Sequence, residues 1–256
     1  MIVDNEVAPE EALSTLLHRG NLMTEIIEKP TQRKNLYRRL DQSRSTVYRG
    51  LEQLEECGFV VEVAGNYEVT PVGKFVFENY ERFVNIIQLS SKYKDLIDPL
   101  YSDTESLPSA LLQDADILYS EEYIPAKLLG YVQEMIRDST TMRGFISDCS
   151  PELFNEVFNQ INDECLIGSM VMSEDLFGFA AEHADGIPQS EEFELYRTDQ
   201  LPKFTLLLSK KPNKRLVVVV FDGKGGIQGI IDTQNVPAYF WGLECFKFYK
   251  DMAKQY

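Results

Sequence analysis

The stretch LYRRLDQSRSTVYRGLEQLEECGF, residues 36–59, decides the fold of the first part of this chain. Within it Val47, Leu51 and Leu54 recur at spacings of four and three, which is the apolar stripe of an amphipathic helix. Ser43 precedes the stripe and is a good N-cap, because its hydroxyl accepts a hydrogen bond from a free backbone N–H group of the first turn. The pattern predicts a helix that begins after Ser43 and ends near Gly58.

Another helix is predicted immediately before this one in the sequence. Leu36 and Leu40 supply its apolar side, and Asp41-Gln42 forms a short polar break before Ser43. On the helix that follows Ser43, the face opposite the apolar stripe carries Ser45, Tyr48, Arg49 and Glu52, and Arg44 lies at its edge. Two helices, a tight turn and an exposed basic face are typical of a DNA-binding helix-turn-helix.

A short β-hairpin is predicted directly after the helix pair. Residues 59–63 and 67–70 have strand character, and we expect the turn at Gly65-Asn66. A hairpin in this position is the wing of a winged helix. Asn66 and Tyr67 at its tip are expected to reach an adjacent minor groove or phosphate.

Helices are predicted on both sides of this motif. Residues 9–19 and 22–28 have two separate helical patterns, and Pro30 ends the second. A long helix over residues 72–97 carries more apolar surface than a small domain needs, which favours a dimer interface or packing on a second domain. Residues 98–109 are the predicted linker.

The second half alternates strands and helices and then continues with several strands. Residues 217–221, VVVVF, are apolar at every position, which predicts a central strand buried on both faces. A turn at 223–225 is expected to join it to the next strand, and residues 235–256 to form a closing helix. The fold class predicted is α+β / α/β: an N-terminal winged helix-turn-helix, a long connecting helix and a C-terminal mixed-sheet α/β domain.

Composition limits the function further. The chain has 256 residues and a formal net charge of −16. Residues 29–49 nevertheless carry seven basic side chains against the single acid Asp41, a local excess that suits phosphate contact. The sequence has no apolar run long enough to span a bilayer and no signal-peptide pattern, so we expect a cytoplasmic protein.

Catalytic and metal-binding patterns are not found in the sequence. The chain has four scattered cysteines, Cys149 among them, and two histidines. No glycine-rich phosphate loop has the strand and helix context that such loops need. We therefore expect no enzyme activity, no metal and no cofactor.

The segment LYRTDQLPKF, residues 195–204, is the most specific feature of the second half. Arg197 at the end of a strand and Pro202 before the next strand, with Phe204 and Asp222, form a candidate effector pocket that would receive an anion. An ordinary surface arginine and turn proline are the alternative.

Two resemblances are carried by these motifs. QSRSTVYRGLEQLEECGFV and the following VTPVGK resemble the winged helix-turn-helix of archaeal, haloarchaeal-type transcriptional regulators. RTDQLPKFTLLL, VVVVFDGKGGIQGIIDT and a closing helix with Trp241 and Tyr249 resemble the effector domain of methanogenesis-type (Fil-type) regulators. The sheet is also similar, more distantly, to phospholipase-D-like sensor domains, but the H-x-K-x-D motif of the catalytic family is absent.

The resemblances imply a dimeric, sequence-specific regulator of transcription with a sensing domain, whose partners are double-stranded DNA, a second copy of the chain and a small-molecule effector. We expect residues 1–70 to bind DNA, 71–109 to link and dimerise, and 110–256 to sense the effector or oligomerise. An acidic adaptor that uses its winged helix to bind protein is the alternative. The predicted DNA contacts are Lys34, Arg38, Arg39, Ser43, Arg44, Ser45, Thr46, Tyr48, Arg49, Asn66 and Tyr67.

Overall fold

The computed structural model of the chain describes residues 7–104, 106–120, 122, 124–148, 150–183, 187–188, 190–222 and 226–256. Cys149 and the predicted turn at 223–225 lie outside these residues. Backbone contacts divide the chain into two compact units, residues 1–85 and 86–256. Among the described helices, none is long and apolar enough to cross a membrane.

The N-terminal unit contains three helices, a hairpin and the beginning of a fourth helix. In chain order these are α1 (Pro9–Glu28), α2 (Arg33–Arg39), α3 (Arg44–Glu56), β1 (Val60–Val63), β2 (Asn66–Val69) and α4 (Pro71–Lys92). The predicted stripe of α3 is fully buried, with Val47, Leu51 and Leu54 all at 0% exposure in one core with Leu36. The helix-turn-helix and its wing are therefore present, as the sequence predicts.

α1 is one helix, although the sequence predicted two. The pattern falters at Gly20, a poor helix former, but Gly20 packs beside the rings of Phe77 and Tyr80 of α4, which leave room for a Cβ at ordinary van der Waals distance. A Cβ on Gly20 would lie 3.5 Å from Cε1 of Tyr80. Tertiary packing thus outweighs the local preference, and the helix ends only at the Lys29-Pro30 step.

The wing turns one residue earlier than predicted. Val63 pairs with Asn66, so the two turn residues are Ala64 and Gly65, and both have left-handed backbone with φ of 50° and 80°. Two positive φ values in a two-residue turn match the right-handed twist of a hairpin. Asn66 is consequently the first residue of β2.

The predicted long helix is broken. α4 ends at Lys92, Tyr93 leaves helical geometry with φ −114° and ψ 35°, and α5 (Lys94–Asp103) begins directly after it. α5 includes Pro99, so the first six residues of the predicted linker 98–109 are helical. The break has a packing cause, since Tyr93, Leu96 and Leu100 are all buried in the C-terminal core.

The C-terminal unit is built on an eight-stranded mixed sheet. After α5 and a short 3-10 turn (Ser109–Leu111), its remaining elements are β3 (Asp116–Tyr119), α6 (Pro125–Asp138), β4 (Thr141–Ile146), α7 (Pro151–Asn162), β5 (Ile167–Ser173), α8 (Glu174–His183), β6 (Phe193–Thr198), β7 (Phe204–Ser209), β8 (Arg215–Phe221), β9 (Ile227–Thr233), α9 (Val236–Met252) and β10 (Lys254–Gln255). The strand order is β10-β6-β5-β4-β7-β8-β9-β3.

The strand directions determine which strand ends lie at the same edge of the sheet. β4, β5 and β6 run parallel to one another, and β7 returns antiparallel beside β4, followed by antiparallel β8. β8 therefore points the same way as β4, β5 and β6. The carboxyl ends of these four strands and the beginning of β7 lie along one edge of the sheet.

The predicted central strand is confirmed. β8 lies between β7 and β9, and its residues Leu216 to Val220 are buried at both faces of the sheet. Two apolar clusters cover the two faces, one containing α6 and α7 and the other α5 and α9. The closing helix is shorter than predicted, because its C-terminal residues Lys254–Gln255 pair with β6 as an edge strand.

Candidate functional site

The N-terminus of α3 is closed by a group of three hydroxyls. The Thr46 N–H donates to Oγ of Ser43 at 3.1 Å, as the sequence predicted for a capping serine. The same Oγ lies 2.9 Å from Oγ of Ser45 and 2.7 Å from Oγ1 of Thr46. These hydroxyls stand at the positive end of a 13-residue helix, where phosphate oxygens are favourably bound.

We call the four side chains Arg44, Ser45, Tyr48 and Arg49 the recognition face. All four are exposed on α3. The Tyr48 hydroxyl is hydrogen-bonded to Glu52, which raises the pKa of that hydroxyl above its ordinary value. The one O–H of Tyr48 is thus given to Glu52, and its oxygen can still accept a hydrogen bond.

The basic side chains around this face differ in their pairing. Arg39 forms an ion pair with Glu25 of α1, with 3.2 Å between Nη1 and Oε2. Lys34, Arg38, Arg44 and Arg49 take part in none of the ion pairs found in the described residues. The Arg44 guanidinium lies over the ring of Tyr37 at 5.2 Å, which holds it at the beginning of α3.

The wing exposes fewer of the predicted contact side chains than the sequence indicated. Tyr67 is 1% exposed, so its placement at the wing tip was wrong: the ring is part of the core. Its backbone also pairs with Thr31 through two hydrogen bonds of 3.1 and 2.9 Å. Asn66 is half-buried beside the turn, and the exposed side chains Val61, Val63 and Glu62 give the wing no basic group.

Arg33 connects the wing to the recognition face, a role that the sequence did not reveal. Its guanidinium lies 4.5 Å from the ring centre of Tyr48 and 5.4 Å from that of Tyr67. It donates to the Tyr67 hydroxyl and lies 3.6 Å from Oε2 of Glu62. The hydrogen bond to Tyr67 raises the pKa of the guanidinium. The three partners lie 15, 29 and 34 positions from Arg33 in the sequence, so no local pattern signals these contacts.

A second candidate site is a cavity of about 930 Å³ in the C-terminal unit. It opens at the edge of the sheet where β4, β5, β6 and β8 end and β7 begins. The residues at these strand ends that line it are Ser147, Asp148, Ser173, Asp199, Pro202, Lys203, Phe221 and Asp222. Ligands of open α/β sheets bind at such carboxyl edges.

Two of the four predicted pocket residues line this cavity and two do not. Pro202 and Asp222 belong to its lining. Phe204 is 0% exposed, with its ring 5.4 Å from that of Phe145, so it is a core residue and the prediction was wrong. Arg197 is not part of the lining either. It lies over the Phe177 ring at 5.4 Å and 3.6 Å from Oε2 of Glu174.

Asp222 also has a structural role. Its Oδ1 accepts from the Gly226 N–H at 2.9 Å, and its own N–H donates to the Gly226 carbonyl at 2.7 Å. These bonds close the connection between β8 and β9. The sequence missed Asp148, Asp175 and Asp199, which also line the cavity, because each follows or begins a different element and nothing local indicates that they converge.

Comparisons with known proteins agree with the division into two units. Residues 9–92 match the family described as the HVO_A0261 N-terminal domain, and residues 125–252 match the middle domain of the methanogenesis regulatory protein FilR1. No curated protein sequence matches the chain.

Solved structures give weaker likenesses. The archaeal chromatin protein TrmBL2 is 14% identical over 84% of each chain, with a TM-score of 0.44. The phospholipase D family member Nuc from Salmonella typhimurium is 12% identical over 56% of this chain and 97% of its own, with a TM-score of 0.39. NucT from Helicobacter pylori is 6% identical over 56% and 98%, with a TM-score of 0.43. Scores of this size do not define a shared fold.

The FilR1 middle-domain match covers half of the chain, and the HVO_A0261 match covers most of the remainder. The chain belongs to the family of the methanogenesis regulatory protein FilR1.

Proposed function

We propose that this protein is a sequence-specific DNA-binding transcriptional regulator that acts as a homodimer and senses a signal through its C-terminal unit. The observation that carries the proposal is the recognition face, where exposed arginines without described ion pairs stand beside the capped N-terminus of α3. Membership of a family of regulatory proteins supports the regulatory part. We assign DNA binding to residues 1–70, linking and dimerisation to 71–109 and sensing to 110–256.

In this proposal α3 lies in the major groove. Arg44 and Arg49 contact base edges, since a guanidinium matches the two acceptors of guanine. Ser45 contacts the neighbouring bases or phosphates as a hydrogen-bond donor, and Tyr48, whose O–H is given to Glu52, contacts base donors as an acceptor. Arg33 positions Tyr48 through its stacking contact at 4.5 Å and does not itself need to touch DNA.

The phosphate contacts come from α2 and from the turn before α3. Lys34 and Arg38 are exposed and contact the backbone on either side of the groove, and Ser43 and Thr46 donate from the helix N-terminus. Arg39 contributes less, because Glu25 already neutralises it at 3.2 Å. Asn66 is the wing residue best placed for a polar contact.

The net charge of −16 does not oppose this arrangement. At physiological ionic strength exposed charges farther apart than roughly 8 Å are largely screened from one another. Phosphates at the recognition face therefore respond to the local basic excess of residues 29–49. The acidic remainder weakens loose, nonspecific binding, so affinity comes from a small number of well-placed contacts.

The dimer is proposed to form through α4. Val72, Phe75 and Phe83 are 61, 70 and 54% exposed and follow one another at helical spacings that place them along one face of that helix. Burying each of them against a second copy would contribute about 1 kcal/mol or more. Asn79 lies within the same face, and a single polar residue in such a seam fixes the register of two helices.

The experiment is a binding measurement on DNA sites selected from a random library by the full-length protein. We expect Arg44→Ala and Arg49→Ala each to weaken binding by roughly 10- to 100-fold, which corresponds to the loss of a base contact. Arg143→Ala is the matched control, because it removes an exposed arginine from β4 in the other unit. Phe75→Ser with Phe83→Ser should shift the protein towards monomer in sedimentation and weaken binding to a two-half-site DNA.

Two outcomes would contradict the proposal. Unchanged affinity in both arginine variants would remove α3 from the interface. Absence of DNA binding at every salt concentration, together with a protein partner that still binds after charge reversal of Arg38, Arg39 and Arg49, would support the adaptor function instead.

A further inference from the structure

An acid, Glu52, lies beside the recognition face of α3. It follows Tyr48 by four residues and Arg49 by three, so its side chain lies on the same side of the helix, one turn further along. Glu52 is exposed, and it takes part in none of the ion pairs found in the described residues. A free carboxylate on a surface that meets DNA requires a physical explanation.

This carboxylate is unfavourable beside the DNA backbone. Two negative charges about 7 Å apart in water repel each other enough to weaken binding by roughly threefold. Glu62 of the wing differs, because the Arg33 guanidinium lies 3.6 Å from its Oε2 and offsets its charge. Glu52 has no such partner among the described residues. It therefore opposes DNA binding unless it accepts a hydrogen bond from a base.

The contacts of Tyr48 leave Glu52 with acceptor sites to offer. The Tyr48 ring is held by the Arg33 guanidinium, 4.5 Å from the ring centre, and its hydroxyl is hydrogen-bonded to Glu52. That bond uses one of about four lone-pair sites of a carboxylate. Once its O–H is given to Glu52, the phenol oxygen is also only an acceptor. The two side chains together present acceptors and no free donor.

Double-stranded DNA offers few donors to such a surface. In the major groove they are the N4 amino group of cytosine and the N6 amino group of adenine. The adenine amino group lies between two acceptors, N7 of the same base and O4 of the paired thymine, and both would repel a carboxylate. The cytosine amino group has an acceptor on one side only, O6 of the paired guanine. Cytosine is therefore the better partner for Glu52.

We infer that Glu52 is a specificity-determining residue that selects cytosine, its carboxylate accepting a hydrogen bond from the N4 amino group of one cytosine in each half-site. Arg49, one turn earlier on α3, supplies donors for a guanine, so the two side chains read bases through opposite hydrogen-bonding groups. Glu52 contributes discrimination and not affinity, because its charge weakens binding wherever that amino group is absent. The inference rests on the proposed DNA-binding function and adds a second base contact to it.

The test is selection of binding sites from a random DNA library by the full-length wild-type protein, Glu52→Gln and Glu52→Ala. We expect the wild type to select cytosine at one position of each half-site besides the position that Arg49 reads. Glu52→Gln should change that preference to adenine, since an amide matches N6 and N7 of adenine. Glu52→Ala should lose the preference, with discrimination at that position falling about fivefold or more.

Affinity for DNA without a selected site separates the base contact from the general effect of charge. Both Glu52 variants should bind such DNA about two- to threefold more tightly than the wild type, because one repelling charge is gone. Glu10→Gln is the matched control, since it removes an exposed acid at the beginning of α1. It should leave the base preferences unchanged. Glu52 is exposed, so both of its variants should unfold at the wild-type temperature.

Two results would overturn the inference. One is the same base-preference profile for the wild type and both Glu52 variants. The other is a change in the variants at a position where the wild type selects guanine or thymine, since neither base offers a major-groove donor. If Arg49→Ala alters the profile and the Glu52 variants do not, base reading by α3 stands and only the role of Glu52 fails. If the wild type selects no sequence, the proposed function fails as well.

Discussion

The recognition face of α3 and the cavity of the C-terminal unit carry side chains of opposite charge within one acidic chain. The first presents arginines without described ion pairs beside a helix N-terminus, and the second gathers carboxylates beside two helix N-termini. In the C-terminal unit, the largely buried Asp232 is paired with Arg215. A local excess of one sign of charge therefore describes each region better than the net charge of −16 does.

Removing Asp232 from its ion pair with Arg215 should give the largest loss of stability. Asp232 is 5% exposed, accepts from the Tyr131 hydroxyl, and lies 2.9 Å from Nε of Arg215 through both carboxylate oxygens. Burial, together with the hydrogen bond to Asp232, raises the pKa of Tyr131 to about 12. Asp232→Ala leaves Arg215 charged without its partner, so the free energy of unfolding should fall by about 3 kcal/mol or more in denaturant titration.

The matched variant for that prediction is Asp175→Asn. Asp175 is exposed and has no described ion pair, so its loss should change the free energy of unfolding by less than about 0.5 kcal/mol. Equal losses in Asp232→Ala and Asp175→Asn would contradict the distinction between paired and unpaired acids.

Arg33→Ala should have the next largest effect, on the N-terminal unit. The change removes the contacts with the Tyr48 and Tyr67 rings and leaves the Tyr67 hydroxyl without its donor. We expect a loss of about 2 kcal/mol in thermal or chemical unfolding. Arg38→Ala, which removes an exposed arginine from the same helix, should cost less than about 0.5 kcal/mol. A similar cost in both variants would show that Arg33 does not connect the wing to α3.

Ser43→Ala should have the smallest effect of the three. The Ser43 hydroxyl accepts from the Thr46 N–H at 3.1 Å, and removal of an N-cap side chain costs about 1 kcal/mol. Ser43→Asp should restore the stability, because its carboxylate also caps, but should weaken DNA binding by repelling phosphate. Denaturation and DNA titration of the two variants check both parts, and equal DNA affinity of Ser43→Asp and wild type would contradict the phosphate contact.

The sequence predicted well what depends on near neighbours. The stripe of α3, its cap at Ser43 and the buried strand β8 follow from spacing and residue type alone, and all three are confirmed. It predicted less well where packing overrides local preference. Gly20 stays within a helix, and the helix breaks at Tyr93, because residues distant in sequence pack there.

The predictions of functional-site residues are limited in the same way, because local patterns do not report contacts between distant residues. The recognition face is local to one helix, so its residues were identifiable from a helical wheel. Tyr67 and Phe204 were misplaced because burial depends on the whole fold. The carboxylates of the cavity come from the ends of three strands and the first turn of α8, which only the sheet order brings together. Pro202 and Asp222 lie within the motifs that the sequence offered, and Asp199 lies in the same segment as Pro202 but was not selected, whereas Asp148 and Asp175 lie in neither motif.

The proposed function depends on the arginines of α3 reading DNA bases. It is tested most directly by selecting binding sites from a random DNA library with wild-type protein and with Arg49→Ala, and comparing the base preference at each position. We expect Arg49→Ala to lose the preference at one position in each half-site and to keep the others, since one arginine reads about one base pair. An identical preference profile for the two proteins would contradict it.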